Sequence, residues 1–173
     1  KPELSLYHRR IHHGPWLYCC NDLFAKKTYY HKILRGKMIK TTLGHIQLNV
    51  NSQNLPFYKD LFAFLSWKTL HEDATALGVG SADASLWFVG AAKGTKNDYD
   101  GTGMNHLALH VQNQSDVDQM VEYLQGKDIA SLFDTPRHRP EFSEDTDHTY
   151  YQVMFETPDK ILLEVVYIGL LVK

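Results

Sequence analysis

The chain contains only two cysteines in 173 residues, and both, Cys19 and Cys20, lie within the first 37 positions. The remaining body, residues 38–173, has no cysteine and must be stabilised by its core rather than by disulfides. No run of apolar residues approaches the roughly 20 that a membrane-spanning helix requires. These absences exclude a disulfide scaffold for the body, and we expect no membrane partner.

The common phosphate-binding and hydrolase motifs are also missing. The sequence contains no glycine-rich phosphate loop, no G-x-S-x-G elbow, no H-E-x-x-H helix and no C-x-x-C pair. The short Gly-Val-Gly run at 78–80 lacks the length and context of a dinucleotide fingerprint and is typical of a turn between strands. Any chemistry must therefore come from residues that the fold brings together.

Charge is divided unevenly along the chain. Residues 1–37 hold 8 Lys and Arg against 2 Asp and Glu, a net of +6, whereas residues 38–173 hold 10 against 18, a net of −8. The acidic body argues against a nucleic-acid partner, which needs a basic face. Because the basic segment lacks the apolar run of a secretory signal, we expect a cytoplasmic location.

The basic segment, residues 1–37, has no regular pattern, and Met38 directly precedes a well-patterned strand. We expect the segment to be a non-native, upstream-translated or otherwise non-essential extension, with residues 38–173 as the working domain. The alternative is a cationic arm that packs on a partner subunit.

The most informative feature of the body is an internal repeat at an offset of 61 residues. The segment from Gly44 to Val50 aligns without a gap with the segment from Asn105 to Val111, and His, Leu and Val recur at matching places. Both segments alternate polar and apolar residues, which predicts a strand with one packed face. Gln47 and Asn49 then lie with His45 on the polar face, where we expect them to line a cavity.

A helix and three strands are predicted after each of these segments. The first helix follows Ser52, and the second begins at Ser115, with Asp118 as its capping partner and Gly126 as its stop. The further strands are predicted at 67–70, 76–79 and 85–89, and at 129–132, 150–155 and 161–167.

The repeat therefore predicts an α+β fold of two βαβββ units, at about 41–92 and 103–168. Neither unit is large enough to bury its own face, so we expect them to pair into a curved, mostly antiparallel sheet that encloses a cavity. The segments 92–103 and 136–147 are rich in loop-forming residues and are predicted to be exposed loops.

A metal site is suggested by two histidines and one acid. His45 and His106 begin equivalent strands, and Glu164 interrupts an apolar strand, where a carboxylate is costly unless it is paired or bound to a cation. Two imidazoles and one carboxylate suit Fe(II), Mn(II), Zn(II), Ni(II) or Co(II) and leave positions open for substrate. The alternative is that each histidine ends a strand and Glu164 meets an arginine.

These motifs resemble the vicinal oxygen chelate superfamily, which includes glyoxalase I, bleomycin-resistance proteins, fosfomycin-resistance enzymes and extradiol dioxygenases. The resemblance covers about residues 41–168 and is carried by Gly44-His45, by Asn105-His106-Leu107-Ala108-Leu109 and by the ending from Phe155 to Val166. It implies His45, His106 and Glu164 as metal ligands, a small-molecule substrate chelated through two oxygens, and a homodimer.

The sequence departs from the described activities of the family at three points. Aligning the strand of Glu164 with the earlier strand puts Phe88 where glyoxalase I carries a fourth ligand, and neither Phe88 nor its neighbours can ligate. The basic residue expected of fosfomycin enzymes after the last strand is missing, and extradiol dioxygenases are usually longer. A three-ligand site is favoured.

Further residues are candidates for roles around this site. By the resemblance, His148, Tyr150 and Tyr151 would handle protons near the metal, although stacked aromatic residues on a sheet are an equal alternative. His110 shares the face of His106 and would line the cavity. Arg137, with Arg139, would clamp an anionic substrate unless this loop is merely solvated.

We therefore expect a metal-dependent enzyme, with lyase, isomerase or dioxygenase chemistry on a chelated substrate. The alternative is a protein that binds or sequesters a small molecule without chemistry, as bleomycin-resistance proteins do.

Overall fold

The computed structural model describes residues 39–94 and 97–172, so the basic extension at 1–37 lies outside the described residues. The α-helices and strands of the described residues fall in one compact unit, Leu43–Lys173. In chain order they are β1 (His45–Asn49), α1 (Leu55–Phe64), β2 (Lys68–Glu72), β3 (Ala76–Gly80), β4 (Ser85–Val89), β5 (Leu107–Val111), α2 (Gln114–Gly126), β6 (Arg137–His138), β7 (His148–Glu156) and β8 (Leu162–Leu170). None of the described helices has the length and apolar character of a membrane span.

The strands form two four-stranded sheets with the same topology. The first has the order β1-β4-β3-β2 and the second the order β5-β8-β7-β6. The pairs β1/β4 and β5/β8 are parallel, and all other pairs are antiparallel. The predicted α+β class with two βαβββ units is confirmed, and among the described strands no hydrogen-bonded pair joins one sheet to the other.

The alternation of apolar residues places the core between the helices and one face of each sheet. Leu48 and Val50 of the first unit and Leu109 of the second are buried, as the repeat predicts, while His45, Gln47 and Asn49 are exposed. Residues of both units contribute to a single apolar cluster, which contains Tyr58, Leu61, Phe62, Phe88, Met120, Leu124, Phe155 and Val165. The two units therefore share one core.

The structure corrects local predictions for the second unit, beginning with the cap of its helix. Helix α2 begins at Gln114 after the cap residue Asn113, because the Asp116 carboxylate accepts a hydrogen bond from the Asn113 backbone N–H at 2.8 Å. Ser115 and Asp118 are thus inside the helix. The helix ends at Gly126 as predicted, and Asp128 adopts the left-handed conformation that turns the chain.

The strand predicted at 129–132 is also wrong, since it forms only one isolated bridge, between Ser131 and Phe155. The chain leaves the sheet there because Phe133 and Asp134 both have a positive φ, at 58° and 55°. The outermost strand is instead β6, Arg137–His138, inside the segment predicted to be a loop. The run at 78–80 likewise belongs to strand β3 rather than to a turn.

The turn between β7 and β8 ties the second unit to the first. The carboxylate of Asp159 accepts hydrogen bonds from the backbone N–H of Asn51 at 2.9 Å and from the Tyr58 hydroxyl at 2.8 Å. Tyr58 is fully buried and stacks on Phe88 with 4.2 Å between ring centroids. Burial, outweighing the hydroxyl of Thr157, raises the pKa of Tyr58, which keeps its hydroxyl protonated as a donor.

We expect Tyr58→Phe to lower the free energy of unfolding by about 1–2 kcal/mol, because it leaves Asp159 with one partner fewer. The matched control is Tyr123→Phe, since the Tyr123 hydroxyl donates to Asp60 at 2.7 Å in an exposed position. That change should cost less than about 0.5 kcal/mol. Urea denaturation of the three proteins measures both effects, and equal losses in the two variants would contradict the role of the buried bond.

Candidate functional site

The second sheet brings His106 and Glu164 together. Glu164 lies on β8 opposite Ala108 of β5, two residues after His106. The Glu164 residue is 1% exposed, and its Oε2 lies 2.9 Å from Nε2 of His106. The other imidazole nitrogen, Nδ1, lies 2.8 Å from Oδ1 of Asn105, so a neighbouring side chain orients the ring.

The buried carboxylate of Glu164 has two further polar partners on β7. The Tyr150 hydroxyl donates to Oε1 at 2.7 Å. Gln152, which is 3% exposed, donates its amide N–H to the same oxygen at 2.5 Å, while its amide oxygen accepts from Arg139 at 3.2 Å. This orientation follows from chemistry, because a carboxylate only accepts and a guanidinium only donates.

The electrostatics of this cluster keep the tyrosine neutral. Burial and, after it, the hydrogen bond to Glu164 raise the pKa of Tyr150. The hydroxyl therefore retains its proton at neutral pH and donates to Oε1, whereas His106 contacts Oε2. The second oxygen points toward His106 and the pocket.

A pocket of about 630 Å³ opens over this cluster. Its wall contains a cation on an aromatic ring, since the Arg139 guanidinium lies 4.7 Å from the centroid of Phe142. The Nε of Arg139 also donates to Glu141 at 2.5 Å. The lining residues are Tyr99, Asp100, Asn105, His106, Phe133, Arg139, Phe142, Tyr150, Gln152, Met154, Leu162 and Glu164.

The arrangement of His106 and Glu164 suits two adjacent ligands of one metal ion. Two donors at right angles on a metal with bonds of about 2.1 Å are separated by about 3 Å. The observed separation of Nε2 and Oε2 is 2.9 Å. A distance of 2.9 Å is also that of a direct ion pair between a protonated imidazole and a carboxylate. The two side chains therefore fit either arrangement, a shared metal ion or a direct contact.

His45 does not join this cluster within one chain. It lies exposed at the start of β1, in the other sheet. Among residues 39–94 and 97–172, no group of three His, Cys, Asp or Glu side chains is placed to hold a metal ion. The structure therefore brings together two of the three predicted ligands.

The register of the sheets corrects the alignment that placed Phe88 opposite Glu164. Gln47 pairs with Trp87 in the first sheet, and its repeat equivalent Ala108 pairs with Glu164 in the second. Trp87 is thus the structural counterpart of Glu164, whereas Phe88 points into the core. The repeat offers no fourth ligand, because an indole cannot ligate a divalent ion in this way.

Two other residues predicted near the metal point elsewhere. Tyr151 faces the side of β7 opposite to Tyr150 and donates its hydroxyl to Asp118 at 2.8 Å. His148 lies at the start of β7, where its Nδ1 is 2.7 Å from Oδ1 of Asp145. Neither lines the pocket of Glu164. Alternation along β7 turns Tyr151 to the opposite face, whereas His148 shares the face of Tyr150 and Gln152 but lies at the first position of the strand, against Asp145.

The predicted substrate-binding residues lie around the site rather than in the pocket. His110 is exposed on the face of His106, four residues further along the chain, and Gln47 and Asn49 share the exposed face of His45. Arg137 is exposed in β6, and the arginine in the pocket wall is Arg139. The strand alternation after Tyr150 was the signal that could have found Gln152 and Met154.

The pair of His148 and Asp145 predicts a titration that is separate from the pocket. The hydrogen bond to Asp145 raises the pKa of His148 above its ordinary value of 6.5. The pair therefore stabilises the folded state below pH 6.5, and this stabilisation is lost as the pH rises through the pKa of His148 in the folded protein. We expect Asp145→Asn to lower the titration midpoint of His148, measured by NMR of the histidine ring. Asp147→Asn, which removes a charge without removing that bond, should lower it less; equal midpoints in all three proteins would contradict the assignment.

Comparison with known proteins places the chain in a family. It is 41% identical over 64 residues to the uncharacterized protein YqjT of Bacillus subtilis (strain 168). The matched segment covers 37% of this chain and 46%, about half, of that protein. A putative glyoxalase from Bacillus halodurans has a TM-score of 0.62 at 22% identity, covering 74% of this chain and 96% of that one.

The fosfomycin resistance protein FosX of Listeria monocytogenes, solved with Mn(II) and sulfate, has a TM-score of 0.55 at 18% identity, covering 75% of this chain and 91% of that one. At these identities the two structures show the fold alone. The sequence profile of one family matches residues 10–165, most of the chain. The chain belongs to the Glyoxalase/Bleomycin resistance protein/Dioxygenase superfamily.

Proposed function

We propose that this protein is a metal-dependent enzyme that binds a small substrate through two adjacent oxygens. The observation that carries the proposal is Glu164, a carboxylate buried at the floor of a pocket and set 2.9 Å from an imidazole nitrogen. Burying a charge at this depth costs several kcal/mol unless partners compensate for it, and a bound cation is the strongest such partner.

His106 and Glu164 would hold the ion, and the related FosX structure contains Mn(II). The ligand types are compatible with Fe, Mn, Zn, Ni or Co. When bound, such an ion supplies Lewis acidity and orients two substrate oxygens. Around it, Tyr150 and Gln152 would fix the carboxylate, and the Tyr150 hydroxyl, whose pKa is raised, would hold a proton at the pocket floor.

The third ligand is proposed to be His45 of a second copy of the chain. β1 and β5 are edge strands of their sheets in the described part of the chain, and neither contains a charged residue or a proline. Exposed edges are normally protected by charges or by shortness. The outer edges here have that protection, since β2 carries Lys68 and Glu72 and β6 has only two residues.

Pairing of β1 from one copy with β5 from another would therefore cover the unprotected edges of both. Because the interface of a twofold dimer is self-complementary, the same contact would form twice and give two equivalent sites. In each site, His45 of one copy would approach His106 and Glu164 of the other. This is consistent with the repeat, which puts both histidines at equivalent strand positions.

A non-catalytic binding protein is the second candidate. Phe133 and Phe142 line the pocket and remain 49% and 57% exposed, which suits the capture of an apolar compound. Tight binding of such a compound by protein that takes up no metal would favour this function.

Metal binding is tested by titrating metal-free protein with Mn(II). We expect about one ion per chain in the wild type and an affinity lowered more than about 100-fold by His45→Ala, His106→Ala or Glu164→Gln, because each removes a ligand. Tyr150→Phe, which removes only a partner of Glu164, should weaken binding about tenfold. His148→Ala, which removes an imidazole that contacts Asp145 outside the pocket, is the matched control; affinities unchanged in all ligand variants would contradict the proposed site.

The origin of the third ligand is tested by mixing two defective chains. His45→Ala and the double variant His106→Ala/Glu164→Gln carry different affinity tags and are co-expressed, and the mixed dimer is isolated through both tags. One of its two sites then combines wild-type His45 of one chain with wild-type His106 and Glu164 of the other, so we expect about one ion per dimer. A mixed dimer without metal, beside a metal-loaded wild type, would contradict the exchange.

A further inference from the structure

The outer face of β3 has no large side chains of its own. Leu77 and Val79 point into the core, which leaves Ala76, Gly78 and Gly80 on the opposite face. Trp87 of β4 occupies this space, because a Cβ added at Gly78 would lie 2.9 Å from the indole ring. The indole therefore lies flat against the backbone of the sheet at a glycine that permits the approach.

The indole presents one ring face outward. Its polar edge is satisfied, since Nε1 donates to the Ser85 hydroxyl at 3.2 Å, and the His71 ring flanks it at 6.0 Å between centroids. Trp87 is only half-buried, and the side against Gly78 is covered. The exposed part must then be the ring face turned away from the sheet.

This face is on the same side of the sheet as His45. His45 and Gln47 share one face of β1 by alternation, and Gln47 pairs with Trp87 on the neighbouring strand, about 4.8 Å away. In the first unit, Trp87 thus occupies the strand position that Glu164 occupies in the second unit. Any ligand held by His45 lies above the strand next to Trp87.

We infer that Trp87 is a stacking platform for a planar aromatic or conjugated group of the substrate, and this inference rests on the proposed function. At the strand position where the second unit has the proposed metal ligand Glu164, the indole of Trp87 offers no charge and no lone pair for a metal ion, but it offers a wide π face for stacking. The pocket around Glu164 adds the exposed rings of Phe133 and Phe142. In the completed site, the oxygens of the substrate would lie at the ion and its planar group on Trp87.

The test uses two chelators that differ only in their apolar group. Benzohydroxamate and acetohydroxamate both offer two adjacent oxygens, and one carries a phenyl and the other a methyl group. We expect Mn(II)-loaded wild type to prefer benzohydroxamate, and Trp87→Ala to lower this preference about three- to tenfold. Trp87→Phe should keep most of the preference, and Mn(II) affinity should stay the same in both variants.

Gly78→Ala provides a second variant that keeps the tryptophan but pushes its ring off the sheet. It should lower the preference as Trp87→Ala does, and a preference unchanged in both would overturn the inference. Benzohydroxamate should also quench the fluorescence that Trp87→Ala removes from the three tryptophans of the chain. If the wild type binds no Mn(II), the proposed function fails. The stacking platform is then tested by adding benzohydroxamate and acetohydroxamate to the metal-free protein. Absence of quenching that depends on Trp87 would overturn the inference.

Discussion

The carboxylate of Glu164 is the constraint on which the second unit depends. It lies in a strand whose other residues are apolar, where an unpaired charge would cost several kcal/mol. Tyr150, Gln152 and His106 meet this cost with three hydrogen-bonding contacts. Tyr150 and Gln152 lie on β7 and His106 directly precedes β5, so the contacts of the carboxylate join β5, β8 and β7 at the pocket floor.

The same constraint extends outward through Gln152. An amide between a carboxylate and a guanidinium has one acceptable orientation, so Arg139 determines which atom of Gln152 faces Glu164. Arg139 is in turn positioned by Glu141 and by the ring of Phe142, in the segment that follows β6. The segment at 136–147 therefore reaches the pocket floor through a chain of polar contacts, and changes there would alter the carboxylate as well as the rim.

The sequence predicted what depends on periodicity and missed what depends on distant contacts. Alternation and the 61-residue repeat gave both units, and the apolar strand around Glu164 singled out the acid. The strand at 129–132 failed because the left-handed conformations of Phe133 and Asp134 carry no clear signal in the sequence. Gln152 and Trp87 were missed because their roles follow from strand register, which a pattern within one strand does not determine.

Register also explains why the two units differ although they repeat. Duplication of a βαβββ unit would by itself give two identical half-sites, each with a histidine on its first strand. One unit here has a charged acid opposite that strand and the other an indole, at corresponding positions. A unit with Trp87 cannot hold an ion alone, and a unit with Glu164 has only one histidine beside it. The proposed pairing of β1 with β5 therefore brings together two different half-sites, one with His45 and Trp87 and the other with His106 and Glu164. Two copies of the same unit would not combine these residues.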